Sequence, residues 1–179
     1  MFTDAETLKD EGLRLFRIGD HTQALDHFER AYDAHMQAGR PLDAAEMLNN
    51  IGVVYRMDGR LEEAAIALER ARECFAEHGD HSREAQTLGN LAPLYSKQGR
   101  MDDAVSAYSR AAQIFGELGD KDRQGEILMA LGLLQFRKGD RQAGLGAYEA
   151  GLLLMQNPSP RHKRTRTLLK LRNKVMLRG

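Results

Sequence analysis

Apolar residues recur along the chain at spacings of three, four and seven, which places them on one face of a helix. The stretch LNNIGVVYRMDGRLEEA (residues 48–64) shows this spacing at Leu48, Ile51 and Tyr55. The stretch LGNLAPLYSKQGRMDDA (residues 88–104) restates it 40 residues later, again with a Gly-Arg pair and a closing Ala. The pattern predicts amphipathic helices in an internally repeated chain.

Two series of glycines, each with a step of 40 residues, predict where the helices end. The first series is Gly19, Gly59, Gly99 and Gly139, and the second is Gly39, Gly79 and Gly119. Glycine is favoured just beyond a helix C-terminus because it adopts positive φ without steric cost. The length of the stretches between successive glycines predicts helices of about 14 to 18 residues, two in each repeat.

The second helix of each repeat has a small, a large and a small residue at helical spacing. In the first repeat these are Ala24, Phe28 and Ala31. The later copies are Ala64, Leu68 and Ala71; Ala104, Tyr108 and Ala111; and Gly144, Tyr148 and Gly151. This pattern suits close antiparallel packing against the first helix, and Asp20 with Gln23 predicts a capping box at the start of the first such helix.

A hairpin of two helices cannot bury its apolar face alone, so repeated hairpins stack and share a core. The small residue before the aromatic position, the Gly turn and the small-large-small pattern resemble the tetratricopeptide repeat (TPR) family over residues 5–156. The period of 40 exceeds the usual ~34 residues. It is similar to the longer repeats of kinesin light chains and of spindle-orientation adaptors. The resemblance implies an all-α, right-handed superhelical solenoid.

The repeat period predicts four hairpins and a C-terminal capping helix. The predicted repeats are residues 5–44, 45–84, 85–124 and 125–156, followed by a Pro-containing break at 157–160 and a basic amphipathic helix at 161–179. In that last segment Leu168, Leu171 and Val175 keep the register of the first helices, whereas Arg172 occupies the small-residue position. No further helix is expected to pack there, as at a solvent-facing cap.

Composition and charge narrow the class of protein. The 179 residues include a single cysteine, Cys74, which excludes an intramolecular disulfide framework. The N-terminus MFTDAETLKDEG is polar and acidic, unlike a secretory signal, and no stretch approaches the ~20 apolar residues that span a bilayer. Together these features favour the cytoplasm.

The formal net charge of zero hides an uneven distribution. Residues 161–179 hold eight basic residues and no acidic one, so residues 1–160 have a formal charge of −8. A basic segment of this kind is expected either to settle against the acidic body or to bind an anionic partner such as nucleic acid. The apolar positions within it favour docking as a cap, and nucleic-acid binding is the less favoured alternative.

The TPR resemblance implies that the first helices line a concave groove that binds a peptide or helix of a partner protein. The predicted groove residues are Lys9, Leu13, Arg17, Asn50, Val53, Arg56, Met57, Gln86, Asn90, Lys97, Met129, Leu133, Phe136 and Arg137. The apolar members are expected to form an exposed strip, and Asn50 and Asn90 to bond the ligand backbone. One edge is expected to be a basic row of Arg17, Arg56, Lys97 and Arg137, while Glu6, Glu46 and Glu126 line the other.

Catalysis finds little support in the sequence. The six histidines are expected on turns and outer helix faces, without the spacing of metal ligands. Cys74 is expected to be structural, and the glycines are explained as turns and close contacts rather than as a phosphate loop. We therefore predict a non-enzymatic adaptor or scaffold without cofactor or metal. A self-associating module that uses the fourth repeat remains an alternative.

Overall fold

The computed structural model of the protein describes residues 4–160 and 162–167, and the described residues contain helices and turns without a strand. The helices are α1 Ala5–Arg17, α2 His21–Gln37, α3 Pro41–Met57, α4 Leu61–Glu77, α5 His81–Lys97, α6 Met101–Glu117, α7 Lys121–Lys138 and α8 Arg141–Leu154. Residues 162–167 are also helical. The predicted all-α class is confirmed.

The glycines of both predicted series lie at the ends of α1 to α7. All seven have positive φ, between 67° and 101°. At all seven positions a Cβ would meet no neighbouring atom within 4 Å. Glycine is favoured there because the turn needs a backbone conformation that other residues rarely adopt. The repeat period of the sequence is therefore set by turn geometry.

Aspartates cap several of the helices at their N-termini. Asp20, Asp80, Asp120 and Asp140 each accept a hydrogen bond from the backbone N–H three residues later. The predicted capping box at Asp20 forms only in part. In a full capping box the Gln23 side chain would accept from the Asp20 backbone N–H, but here the Gln23 side-chain amide donates to the Asp20 carboxylate at 2.6 Å. The Asp20 backbone N–H instead donates to the Leu15 carbonyl of α1 at 3.0 Å.

The chain forms two compact units, Met1–Arg100 and Met101–Gly179. In unit 1, α1 pairs with α2 and α3 pairs with α4, and each next helix packs on the one before. The predicted fit of large side chains against small residues is confirmed in both hairpins. A Cβ on Gly12 would lie 2.7 Å from Cε1 of Phe28, and one on Gly52 would lie 2.6 Å from Cγ of Leu68. Phe28 and Leu68 are both fully buried.

Helix α5 contains Pro93 and is helical from His81 to Lys97. Pro93 is half-buried, and Leu94 directly after it is fully buried. Proline removes one backbone donor from the helix and its ring crowds the carbonyl four residues earlier, here that of Gly89. The helix tolerates the residue, and the bend that we expect at Pro93 stays a prediction.

In unit 2, α6 packs on α7, and α7 pairs with α8. The chain that follows α8 is tied to α7 by Asp122, whose carboxylate accepts from the backbone N–H groups of Gln156 at 2.6 Å and Asn157 at 3.0 Å. Arg166 donates from Nη1 to the Met155 carbonyl at 2.6 Å. Leu168, Leu171, Arg172 and Val175 of the predicted capping helix lie outside the described residues.

Candidate functional site

A cavity of about 270 Å³ opens between α3 and α5 in unit 1. Its lining residues are Glu46, Asn49, Asn50, Phe75, Arg83, Gln86 and Thr87. Glu46, Asn49 and Asn50 belong to the face of α3 that the sequence assigned to the groove, and Gln86 belongs to that face of α5. Except for Phe75, every lining side chain is polar or charged, so this cavity suits a ligand with hydrogen-bonding groups.

Charges of alternating sign connect α1, α3 and α5 along this side of unit 1. Lys9 Nζ lies 2.6 Å from Glu6 Oε2 and 3.8 Å from Glu46 Oε1. Arg83 Nη1 lies 3.5 Å from Glu46 Oε2, and its Nε lies 2.8 Å from Asp80 Oδ2. The ammonium of Lys9, a predicted groove residue, thus lies between two carboxylates, and its contact with a ligand stays a prediction.

The Lys9–Glu6 hydrogen bond has opposite effects on the two groups. It lowers the pKa of the Glu6 carboxyl and raises the pKa of the Lys9 ammonium. Both side chains therefore stay charged at neutral pH, and the ion pair holds neighbouring turns of α1 in register beside α3.

Arg83 forms one wall of the cavity and is held by four different contacts. Besides its two ion pairs, Nη1 donates to the Leu42 carbonyl at 3.3 Å. Its guanidinium lies over the ring of Phe75, 5.4 Å from the ring centroid. A guanidinium fixed by a ring and by oxygen acceptors presents its remaining donors in a defined direction.

The two asparagines predicted to hydrogen-bond a ligand backbone differ in whether their side-chain amides already bond within the protein. Asn90 Nδ2 donates to Asn49 Oδ1 at 3.0 Å, and Thr87 Oγ1 lies 3.3 Å from the same oxygen. The donor side of Asn90 is thus committed to the protein. Asn50 lines the cavity, and its amide makes no side-chain hydrogen bond to the part of the chain that the structure describes.

The predicted apolar strip is exposed only in part. Met57 is 56% exposed in unit 1, whereas in unit 2 Leu133 is 55% and Phe136 40% exposed. The prediction of exposure was wrong for Leu13 and Val53, which are half-buried. Leu13 packs against the core cluster of the first two hairpins, which covers part of its side chain.

The remaining predicted groove residues divide between the two units. In unit 1, Arg17 and Lys97 are exposed, Gln86 is exposed and donates to the Ser82 carbonyl at 3.1 Å, and Arg56 is half-buried. In unit 2, Met129 is half-buried and Arg137 is exposed. The predicted groove as a whole stays a prediction, and two of its residues, Asn50 and Gln86, line the cavity.

Sequence reasoning missed three residues of the cavity, Phe75, Arg83 and Thr87. Thr87 is 1% exposed and takes the register position of the buried Met47, 40 residues earlier. A polar residue at a core position was the available signal, because burying a hydroxyl costs free energy unless it is hydrogen-bonded. Arg83 gave no comparable signal in the sequence, because its partners Glu46, Asp80 and Phe75 lie in α3, in the turn before α5 and in α4.

Two titratable residues outside the cavity, His35 and Cys74, make structural contacts. His35 was expected on an outer face and is instead fully buried, with its Nδ1 2.8 Å from Arg40 Nη2. Cys74 Sγ donates to the Pro41 carbonyl at 3.5 Å, and burial raises the pKa of its thiol. Within residues 4–160 and 162–167, no three His, Cys, Asp or Glu side chains are grouped to hold a metal ion.

None of the helices that the structure describes has both the length and the apolar composition to cross a bilayer.

The fold and the repeat pattern agree with the comparison against protein families. The tetratricopeptide repeat family matches residues 43–117 and 83–157. The protein therefore belongs to the tetratricopeptide repeat family, and the resemblance seen in the sequence is confirmed. A comparison with proteins of curated function found no significant match.

Solved structures with a similar fold are helical repeat proteins. BtubC (BKLC) from P. vanneervenii aligns with a TM-score of 0.77 at 20% identity, over 87% of this chain and 66% of that chain. MamA aligns with a TM-score of 0.65 at 21% identity, over 84% and 77%. The Rap conjugation gene regulator of plasmid pLS20, solved with the Phr* peptide, aligns with a TM-score of 0.70 at 19% identity, over 94% and 52%. These identities support the fold alone.

Proposed function

We propose that the protein is an adaptor that binds a peptide or an extended segment of a partner protein at the α3–α5 cavity, without chemistry of its own. The observation that carries the proposal is the cavity of about 270 Å³, lined by amide, hydroxyl and charged side chains from two successive first helices. Such a set recognises a main chain, since every peptide unit offers one donor and one acceptor.

Asn50 is the residue most suited to contact the ligand backbone. Its amide has a donor and an acceptor side, lines the cavity and is not used by another described side chain. Gln86 stands across from it on α5 and is exposed. Asn90 and Thr87 hold Asn49 in place, so their role is to shape the wall.

The family and its structural neighbours support a binding function in general terms. Members of the tetratricopeptide repeat family stack hairpins into surfaces that bind other proteins. The Rap conjugation gene regulator has the same fold and was solved with a peptide. A shared fold hosts many functions, so the argument for this chain depends on its own cavity.

The test is a selection followed by a binding measurement. Random peptides displayed on phage are selected on the full chain, and the selected sequence is synthesised and titrated by calorimetry. We expect Asn50→Ala to weaken binding by about tenfold or more, because a ligand group that loses its partner in the cavity stays desolvated and unpaired.

The matched control is Gln37→Ala, which removes an exposed amide from the outer helix α2. It should leave the affinity unchanged, and circular dichroism should show the same helix content for all three proteins. Peptides that bind wild type and Asn50→Ala equally would exclude the cavity as their site.

A further inference from the structure

A second cavity, of about 300 Å³, lies on the opposite face of α3 from the first. Its lining residues are Glu29, Tyr32, Leu48, Ile51, Tyr55, Glu63, Ile66, Ala67 and Arg70, from α2, α3 and α4. On α3, residues 48, 51 and 55 point about half a turn away from residues 46, 49 and 50, given 3.6 residues per turn. We name this cavity the outer pocket.

The floor of the outer pocket is apolar and its mouth exposes a large aliphatic side chain. Ile51 and Ala67 are buried beneath it, and Ile66 at the mouth is 62% exposed. The ring of Tyr32 is fixed by Arg70, whose Nη2 donates to the phenol oxygen at 3.0 Å. Tyr55 forms a second aromatic wall and donates its hydroxyl to Glu29 at 3.4 Å.

Two residues of the outer pocket, Tyr32 and Ile66, differ in type from the residues at the same position in the other repeats. Forty residues after Tyr32 stands Arg72, whose Nε pairs with Glu69 at 3.1 Å. Forty residues before Ile66 stands Asp26, and forty after it stands Ser106. An aromatic ring and an exposed isoleucine replace charged or small polar residues here, so this combination is not required by the repeat.

The two helices that flank the outer pocket, α2 and α4, have an excess of negative charge, and Glu29, Glu63 and Arg70 are the charged residues that line it. Helices α2 and α4 contain eight acidic residues against three arginines. Glu63 at the rim is paired with Arg60 at 2.6 Å, whereas Glu29 has no ion-pair partner among the described residues. A carboxylate beside an apolar floor favours an occupant that combines an aliphatic side chain with a neighbouring cation.

The chain's own C-terminal segment has this chemistry. Residues 168–179, LLKLRNKVMLRG, interleave Lys170, Arg172, Lys174 and Arg178 with leucine, valine and methionine and contain no acidic side chain. We propose that the outer pocket binds the basic C-terminal segment of a second copy of this chain.

Sedimentation velocity of the full chain over a wide concentration range tests the proposal. We expect wild type to associate as its concentration rises and the association to weaken with added salt, because acidic and basic surfaces attract each other through screened charges. Ile66→Ser copies the residue of the next repeat and should raise the dissociation constant by about tenfold or more. Glu29→Gln should weaken the association and reduce its salt dependence.

The matched control is Ile18→Ser, since Ile18 is 65% exposed in the turn after α1 and lies outside the pocket. It should associate as wild type does. A fluorescent peptide of residues 168–179 gives a second readout, and its anisotropy should rise with wild type and Ile18→Ser but much less with Ile66→Ser.

Three results would overturn the proposal. The first is a wild type that is monomeric at every concentration, and this holds even where the peptide binds, because the occupant is then not a second copy. The second is association that Ile66→Ser and Glu29→Gln leave unchanged, which would locate the contact elsewhere. The third is peptide binding that is equal for Ile66→Ser and wild type.

Discussion

Gly132 of α7 and Gly144 of α8 face each other with their backbones in direct contact. A Cβ on Gly132 would lie 2.6 Å from the Gly144 carbonyl oxygen, and one on Gly144 would lie 2.8 Å from the Gly132 carbonyl oxygen. Gly125 and Gly151 repeat the arrangement one heptad away along the same two helices. The fourth hairpin, in which Gly144 and Gly151 stand where earlier repeats have alanine, is packed more closely than a pair of alanines allows.

This contact predicts opposite effects for two glycines in one hairpin. Gly132→Ala should lower the free energy of unfolding by about 1 to 3 kcal/mol, because the new methyl group meets backbone atoms that cannot move aside. Gly146→Ala, in α8 with no atom within 4 Å of its Cβ position, should raise it by about 0.5 to 1 kcal/mol. Chemical denaturation of both variants checks the pair, and equal effects would contradict the packing.

The hydrogen bonds by which Asp122 holds the chain after α8 should depend on pH. The backbone N–H of Asn157 lowers the pKa of this carboxyl below its usual value, and the Asn157 amide and the Gln156 N–H add to the effect. A lowered folded pKa means that the stabilisation is complete above the unfolded pKa and lost as the pH falls through the folded value.

We therefore expect Asp122→Ala to speed hydrogen exchange at Gln156 and Asn157 at neutral pH, and the difference from wild type to shrink at acid pH. Exchange followed by mass spectrometry measures both. Asp103→Ala, which removes an exposed acid from α6, serves as the comparison. A difference that persists unchanged in acid would argue against the anchor.

Ionisation of the Tyr95 phenol should lower the stability of the fold at alkaline pH. Its phenol is buried and donates a hydrogen bond to Glu69, and burial raises its pKa well above the usual value, with the Glu69 carboxylate adding to the shift. Because the folded pKa is the higher one, the neutral phenol stabilises the fold fully below the unfolded pKa of about 10. That stabilisation is lost as the pH rises through the folded value.

Absorbance titration should show a late ionisation step from Tyr95, and this step should be absent from Tyr95→Phe. The variant should lose roughly 1.5 kcal/mol of stability at neutral pH, since a buried hydrogen bond to a carboxylate is removed. Tyr148→Phe provides the control, because Tyr148 is only half-buried and lies in α8. A late step that survives in Tyr95→Phe would assign it to another tyrosine.

Cys74 predicts slow thiol chemistry. Burial raises the pKa of its thiol, so the nucleophilic thiolate is scarcer than for a free cysteine at the same pH. Reaction with a disulfide reagent should be slow in the native protein and fast in denaturant. As the sequence has a single cysteine, the whole signal reports this residue. Equal native and denatured rates would show that the thiol is open.

The repeated features were predictable because each depends on neighbours close in sequence. A glycine at positive φ ends a helix wherever it stands, so the positions of Gly59 and Gly99 predicted helix ends that the structure confirms. The fit of Phe28 against Gly12 was equally readable, since both residues belong to one hairpin with a short turn. The sequence correctly predicted that Asp20 caps α2, but it did not predict that the Gln23 side chain donates to the Asp20 carboxylate.

The candidate site was predictable only as a helix face. Helical spacing assigned Asn50, Asn90 and Lys9 to one surface, and it could not tell which polar groups are already used. That depends on residues about 40 apart, such as Asn49 with Asn90 and Lys9 with Glu46, whose distances are set by the packing of one repeat on the next.

The sequence by itself determined the all-α class, the repeat period, the helix ends and membership of the tetratricopeptide repeat family, because local backbone preferences and apolar periodicity act within a few turns. Only the tertiary structure decided that Asn50 is available while Asn90 is committed, and that Leu13 is partly covered. It also decided that α3 has a polar cavity on one face and an apolar pocket on the other. Those properties arise when side chains from successive hairpins meet, and a shift of about an ångström decides whether two polar atoms bond to each other or to a ligand.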